Sequence, residues 1–125
     1  MPRIAVVEDN PDNRLLVRAI LEDQYELVEF ENGRDALDAI SVDRPDVVLL
    51  DISLPEMDGT EVLAVIRETE ALRDVPVIAL TAHAMVGDRE RFLAAGFDHY
   101  ISKPILEPDK LIEAVGELLQ KSDAG

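Results

Sequence analysis

The chain has 125 residues and no cysteine, which suits one compact domain and excludes disulfide frameworks and thiolate metal sites. Hydrophobic residues make up 47%, enough for a real core, while 27 acidic residues stand against 12 basic ones for a formal charge of −15. That charge repels phosphate backbones and anionic lipid, so direct nucleic-acid or membrane binding is disfavoured, and most of it serves solubility on outer helix faces.

The first apolar run, Ile4 to Val7, predicts a strand and stops at Glu8 and Asp9, too soon for a targeting segment. No stretch is long enough for a membrane span, so a cytoplasmic protein is expected. Asn10-Pro11 predicts a helix start, with Asn10 as N-cap and Pro11 at the first helical position. Leu15, Leu16, Ala19 and Ile20 recur at helical spacing as the expected inner stripe of that helix. Tyr25 to Phe30 reads as the second strand, and Glu26 and Glu29 suit an edge position. Asn32-Gly33 marks a turn, and Ala36, Leu37 and Ile40 stripe a second helix. Val47 to Leu50, ending in Asp51, reads as a central strand buried on both faces. A loop from Leu54 to Gly59 leads to a third helix marked by Val62, Leu63 and Ile66. Val75 to Leu80 is the expected fourth strand, with Pro76 tolerated at its start. A fourth helix follows from about Val86 to Ala95, with Gly96 as its natural stop. His99 to Ser102 is a short fifth strand. The last helix starts at Pro108 and carries Leu111, Ile112, Val115, Leu118 and Leu119 on its inner face. Residues 1–121 form the domain, and 122–125 a polar tail expected to fray.

This (βα)₅ alternation implies an α/β fold: a five-stranded parallel sheet with helices on both faces, in the doubly wound, flavodoxin-like order 2-1-3-4-5. All carboxyl ends of a parallel sheet share one rim. Glu8 and Asp9, Asp51, Thr81 and Lys103 follow four of the strands and therefore converge at the switch point, where ligands bind in open α/β sheets. Three crowded carboxylates raise one another's pKa unless positive charge intervenes. Lys103 supplies one charge and a divalent ion two more. Hard oxygen ligands, with no thiol and no clustered histidine, favour Mg²⁺. An aspartate can act as nucleophile and form an aspartyl-phosphate, with the protein positioning groups and neutralising charge. Central Asp51 is the nucleophile candidate, Glu8 and Asp9 the metal holders, and Lys103 and the Thr81 hydroxyl the phosphoryl contacts.

Each residue also has a plainer explanation. Strand-end acids cap helices, a threonine forms strands or caps, and a lysine is usually solvated. His83 and His99 read as surface residues, and Met57 and Met85 as loop packing. The plain readings explain the joint arrangement poorly.

The segments VVEDNPDNRLL from Val6, VVLLDISLPEMDG from Val47, VIALTAHAM from Val77 and GFDHYISKPI from Gly96 together resemble the response-regulator receiver family of CheY-like domains over nearly the whole chain. The resemblance implies Asp51 as phosphoacceptor. It implies Asp9 and Asp51 as direct Mg²⁺ ligands, Glu8 acting largely through water, and the Ser53 backbone carbonyl completing the protein ligands. Thr81, Lys103 and the Ala82 backbone N–H match phosphate contacts. Lys103-Pro104 matches a peptide bond that is typically cis in the family. Tyr100 matches the switch aromatic, coupled to Thr81 and to a partner surface of helix four, strand five and helix five. Implied partners are a sensor histidine kinase or histidine phosphotransfer protein and a downstream protein. NPDNR with TAHAM looks most like receivers of hybrid kinases and stand-alone relay regulators of the DivK type, and no output domain is expected in this chain.

Three rivals are weaker. A metal-dependent phosphatase with an aspartate nucleophile resembles D-x-D, whereas Ser53 stands two residues after Asp51 and cannot serve as general acid and base. A flavodoxin-like binding module needs a Ser/Thr/Gly-rich phosphate loop after the first strand, where this chain has acids. A receiver that signals by binding alone is not favoured, since nothing needed for phosphorylation is missing.

Overall fold

The computed structural model of the chain describes residues 1–82, 87–103, 105 and 107–124, with side chains left aside at 89 and 121–124. In chain order the elements are β1 (Arg3–Val7), α1 (Pro11–Leu21), β2 (Glu26–Phe30), α2 (Gly33–Val42), β3 (Val47–Asp51), α3 (Gly59–Glu68), β4 (Val77–Thr81), α4 (Asp88–Ala95), β5 (His99–Ser102) and α5 (Pro108–Ala124). The five strands are parallel in the order β2-β1-β3-β4-β5, as the alternation predicts. β3 and β4 are buried at every residue, which is why they are continuous apolar runs. β2, carrying Glu26 and Glu29, lies at the edge.

Two cores flank the sheet. One packs α2, α3 and Phe92 of α4 against residues such as Ala5, Val7, Val48 and Leu50. The other packs α1 and α5 against Ile4, Val6, Leu49 and Leu80. Alternate residues of each central strand supply alternate faces.

The structure departs from the sequence reading at several boundaries. The inner face of α1 is centred on Val17 and Leu21, with Leu16 and Ile20 packed beside them as expected, while Leu15 is 58% exposed and Ala19 is exposed too; half of the expected stripe therefore lies one position off the inner face. Asn32-Gly33 is a helix start, not a turn: the Asn32 side chain accepts from the Asp35 N–H at 2.8 Å. Tyr25 gives its N–H to Leu21 O at 3.1 Å, closing α1, so β2 begins one residue later. β4 begins at Val77; Pro76 has no N–H for the ladder, although its carbonyl already accepts from Val48 at 2.9 Å. Gly96 does end α4, at φ 114°, in the left-handed region glycine favours. The expected start of that helix at Val86 lies outside the described residues. The backbone of α5 continues to Ala124, past the boundary expected at residue 121. Among the described residues no helix is long and apolar enough to cross a membrane.

Candidate functional site

The β1–α1 turn brings the acids in. Asn10 caps α1, its side chain accepting from the Asp12 N–H at 2.8 Å and the Asn13 N–H at 3.4 Å, and Pro11 opens the helix. This tight start leaves Glu8 pointing inward, fully buried, and Asp9 exposed beside it. The neighbouring strand β3 ends at Asp51, which is 1% exposed. Gly59 makes room there. A Cβ at that position would stand 2.4 Å from the Asp51 carbonyl oxygen, so only glycine lets α3 begin this close to the strand end.

Carboxylate oxygens of Glu8, Asp9 and Asp51 lie within 4.8 Å of one another. The Lys103 ammonium reaches in from the end of β5, 2.9 Å from Glu8 Oε1 and 3.0 Å from Asp51 Oδ2. The Lys103 backbone N–H donates to the Thr81 carbonyl at 2.7 Å, which fastens the lysine-bearing segment to the buried end of β4. Asp51 Oδ1 accepts from the Ser53 N–H at 2.9 Å. Glu8, Asp9, Asn10, Asn13, Asp51, Ser53, Ala82 and Lys103 line one cleft of about 420 Å³.

The electrostatics separate the two buried acids. Burial pushes the Glu8 carboxyl up to about 7, with the facing Asp51 adding to the rise and Lys103 opposing it. Burial also works to raise Asp51, but hydrogen bonds from Glu8, the Ser53 N–H and Lys103 outweigh it, so Asp51 sits below its ordinary value. Burial disfavours the Lys103 ammonium, yet Glu8 and Asp51 hold its pKa above the ordinary range. Asp51 thus favours its charged form, and Glu8 holds a proton more readily than an ordinary glutamate.

The donor set fits a hard divalent ion. It is oxygen throughout, one ammonium faces three carboxylates, and the cleft leaves space for further ligands. The structure brings Glu8, Asp9, Asp51, Ser53, Ala82 and Lys103 into one cleft, and Thr81 ends the adjacent strand, 4% exposed. Tyr100 is half-buried, packed against the α3–α4 core with its ring 6.2 Å from Phe92. Pro104, His83 and Met85 lie outside the described residues. His99, expected at the surface, is half-buried in β5 with its Nδ1 accepting from the Tyr100 N–H at 3.0 Å, and Met57 packs against the core, as its plain reading expects.

Two site residues escaped the sequence reading. Asn13 donates from Nδ2 to Glu8 Oε1 at 3.0 Å. Arg14 donates from Nη1 to the backbone carbonyls of Glu8 and Asp9 at 2.8 and 3.2 Å. Residues 13, 17 and 21 share one helix face, so placing the inner stripe on Val17 and Leu21 would have pointed to both.

Comparison with known proteins agrees with this geometry. The family profile described as response regulator receiver domain matches residues 4–116. The polar-differentiation response regulator DivK of Brucella anthropi is 45% identical over 121 residues, covering 95% of this chain and 98% of that protein. The sensor protein GacS of Pseudomonas syringae is 44% identical over 110 residues, 85% of this chain but 12% of that protein. Among solved structures, the receiver domain of the sensor histidine kinase PA1611 from Pseudomonas aeruginosa superposes with a TM-score of 0.86 at 36% identity, covering 95% and 98% of the two chains; that structure has a magnesium ion coordinated in its active-site cleft.

Proposed function

This chain belongs to the response regulator receiver family of two-component signalling, and on that premise we propose that Asp51 is its phosphoacceptor. Phosphorylation of an aspartate beside a Mg²⁺ site is typical of the family, whose members interact with histidine kinases and downstream partners. The observation that carries the assignment is the buried Asp51 carboxylate at the end of the central strand, 3.0 Å from the Lys103 ammonium and grouped with Glu8 and Asp9.

In the reaction we envisage, an Asp51 carboxylate oxygen attacks the phosphorus of a phosphohistidine on a sensor histidine kinase or histidine phosphotransfer protein. An O–P bond forms, the P–N bond breaks, and the imidazole leaves with a proton from solvent. Lys103 turns from the carboxylates to a phosphoryl oxygen, while the Thr81 hydroxyl and Ala82 N–H donate to the others. Asp9, Asp51 and the Ser53 carbonyl would hold Mg²⁺ directly and Glu8 through water. Bound there, the ion supplies neutralisation of charge on the transferring oxygens. The group is lost by hydrolysis, in which water attacks the phosphorus, the bond to the Asp51 oxygen breaks, inorganic phosphate leaves and the carboxylate is restored. The domain thus acts only on its own acyl phosphate.

The readout follows from Thr81. Drawn toward the phosphoryl group, it vacates space that Tyr100 fills, which reshapes the α4–β5–α5 face. Tyr100 also lines a cleft of about 570 Å³ on that face, with His99, Ile105 and Glu113 among its walls. A formal charge of −15 favours a protein partner there over nucleic acid or membrane, in the cytoplasm where kinases meet receivers.

Exposure to acetyl phosphate and Mg²⁺ tests the assignment. Wild type takes up a hydroxylamine-sensitive label; Asp51→Asn takes up none while keeping its circular dichroism spectrum. A normal level of label on the folded variant excludes Asp51 as the acceptor.

A further inference from the structure

Glu8 has no exposed surface, and both its oxygens are engaged. Oε2 accepts from the Asn10 backbone N–H at 3.2 Å. Oε1 accepts from two side chains, Lys103 Nζ at 2.9 Å and Asn13 Nδ2 at 3.0 Å. Asn13 takes no part in the scheme above: it is neither a metal ligand, a phosphoryl contact nor part of the switch.

We propose that Asn13 is a positioning residue for the cation site. Its amide fixes the plane of the Glu8 carboxylate, and it remains on Oε1 when Lys103 turns away to the phosphoryl group. The inference rests on the phosphoacceptor reading, because that reading is what moves Lys103. One ammonium can bridge Glu8 and Asp51, as it does here. A phosphoryl group on Asp51 draws it off Glu8. A buried carboxylate oxygen stripped of its donor is costly, and a single backbone N–H on Oε2 leaves the group free to rotate about its last bond. A second donor on Oε1 prevents both.

Asn13 is suited to this in three respects. Its NH₂ can only donate, which matches an oxygen that only accepts. It is neutral, so it holds Glu8 without supplying the positive charge the cation brings. It stands on a turn anchored at both ends: Asn10 caps the helix, and Arg14 clamps the Glu8 and Asp9 carbonyls. One helical turn therefore fixes the backbone of the acid pair through Arg14 and the buried side chain through Asn13. Partners of this kind around a metal ligand typically matter about 10–100-fold in metal affinity.

Titration of the full chain with Mg²⁺ alone, by calorimetry, tests the idea alongside thermal melting in EDTA. Asn13→Ala weakens the Mg²⁺ dissociation constant by about 10–100-fold, whereas Asp12→Ala, an exposed change on the same turn, leaves it unchanged. The EDTA melting temperature of Asn13→Ala falls no further than that of Asp12→Ala. Asn13→Leu keeps the bulk, is the better helix former and lacks the N–H, so it weakens Mg²⁺ binding as much as alanine does. With beryllofluoride added, which engages Lys103, the deficit of both Asn13 variants widens.

Wild-type Mg²⁺ affinity in both variants overturns the proposal. So does recovery in Asn13→Leu, which would make bulk rather than the N–H responsible. An EDTA-state destabilisation as large as the loss of Mg²⁺ binding energy also overturns it, by making the role purely structural. A wild-type chain that takes up neither Mg²⁺ nor label refutes the phosphoacceptor reading; one that takes up both while Asn13→Ala binds Mg²⁺ normally refutes this inference alone.

Discussion

The two rims of the sheet handle charge in opposite ways. At the amino ends of the strands, arginines meet their partners. Arg3 pairs with Glu26 and Asp43, and its backbone N–H with Asp46 at 2.7 Å. Arg67 donates to the carbonyls of Gly96, Arg73 and Val75 and to the Asp98 carboxylate. At the carboxyl ends, three carboxylates cluster, and one ammonium bridges the two that are almost fully buried, Glu8 and Asp51. The first rim pairs its arginines with acids and carbonyls, whereas the second keeps negative charge in excess, which is what the proposed cation site and phosphoryl chemistry need.

The largest test removes the ammonium that bridges Glu8 and Asp51. Lys103→Ala strands Glu8 and Asp51 together and lowers stability in EDTA by on the order of 3 kcal/mol; saturating Mg²⁺ returns much of it, and label uptake falls steeply. Denaturant melts with and without Mg²⁺ measure this, and equal losses in both would erase the contrast between the rims.

On the opposite rim, Arg67→Ala removes a charged donor from three carbonyls and one carboxylate. It costs about 2 kcal/mol, by the same amount in EDTA and in Mg²⁺. A Mg²⁺-dependent loss would mean that the two rims communicate.

A smaller effect sharpens the electrostatics. At ten times its dissociation constant, Mg²⁺ adds about 1.4 kcal/mol, and its shift of the melting temperature is larger at pH 8 than at pH 5. The folded pKa of Glu8 stands at about 7, above its ordinary 4.5. The fold therefore binds that proton more tightly than the unfolded chain does. In EDTA this penalty is absent below about pH 4.5, grows as pH rises, and is complete above about 7. Asp51, held low, works in the opposite sense and in a different window: its contribution is present above 3.8 and is lost as pH falls further. A Mg²⁺ shift independent of pH between 5 and 8 would remove Glu8 from the site.

The smallest effect is Arg3→Ala. Its ion pairs are partly exposed and contribute less than about 1 kcal/mol, with further loss screened by salt.

Strand order and the composition of the reactive rim were legible because each depends on a short, local signal: an apolar run, then a polar residue at its end. Glu8, Asp9, Asp51, Thr81 and Lys103 stand where that signal places them, while Ser53 and Ala82 were legible only through the family resemblance. What escaped depended on rotation about a helix axis. Leu15 and Ala19 drew the expected stripe of α1 one position away from Val17 and Leu21, and Asn13 and Arg14 were missed with it. Strand starts slipped for a related reason: whether Tyr25 gives its N–H to the preceding helix or to the sheet is decided by tertiary placement, as is the role of Asn32-Gly33 as cap or turn. The proposed coupling of Thr81 to Tyr100 is a property of two states, and one sequence read residue by residue does not contain the distance either side chain would travel.

The glycine at position 59 has a consequence for engineering this domain. Because any added carbon there would press on the carbonyl of Asp51, the proposed acceptor, Gly59→Ala displaces that residue before it unwinds the helix. A variant screen scored only by thermal survival would pass over that position as mildly sensitive, while a screen scored by labelling would flag it as nearly intolerant; the gap between the two scores measures how closely scaffold and reaction centre are fused at that point.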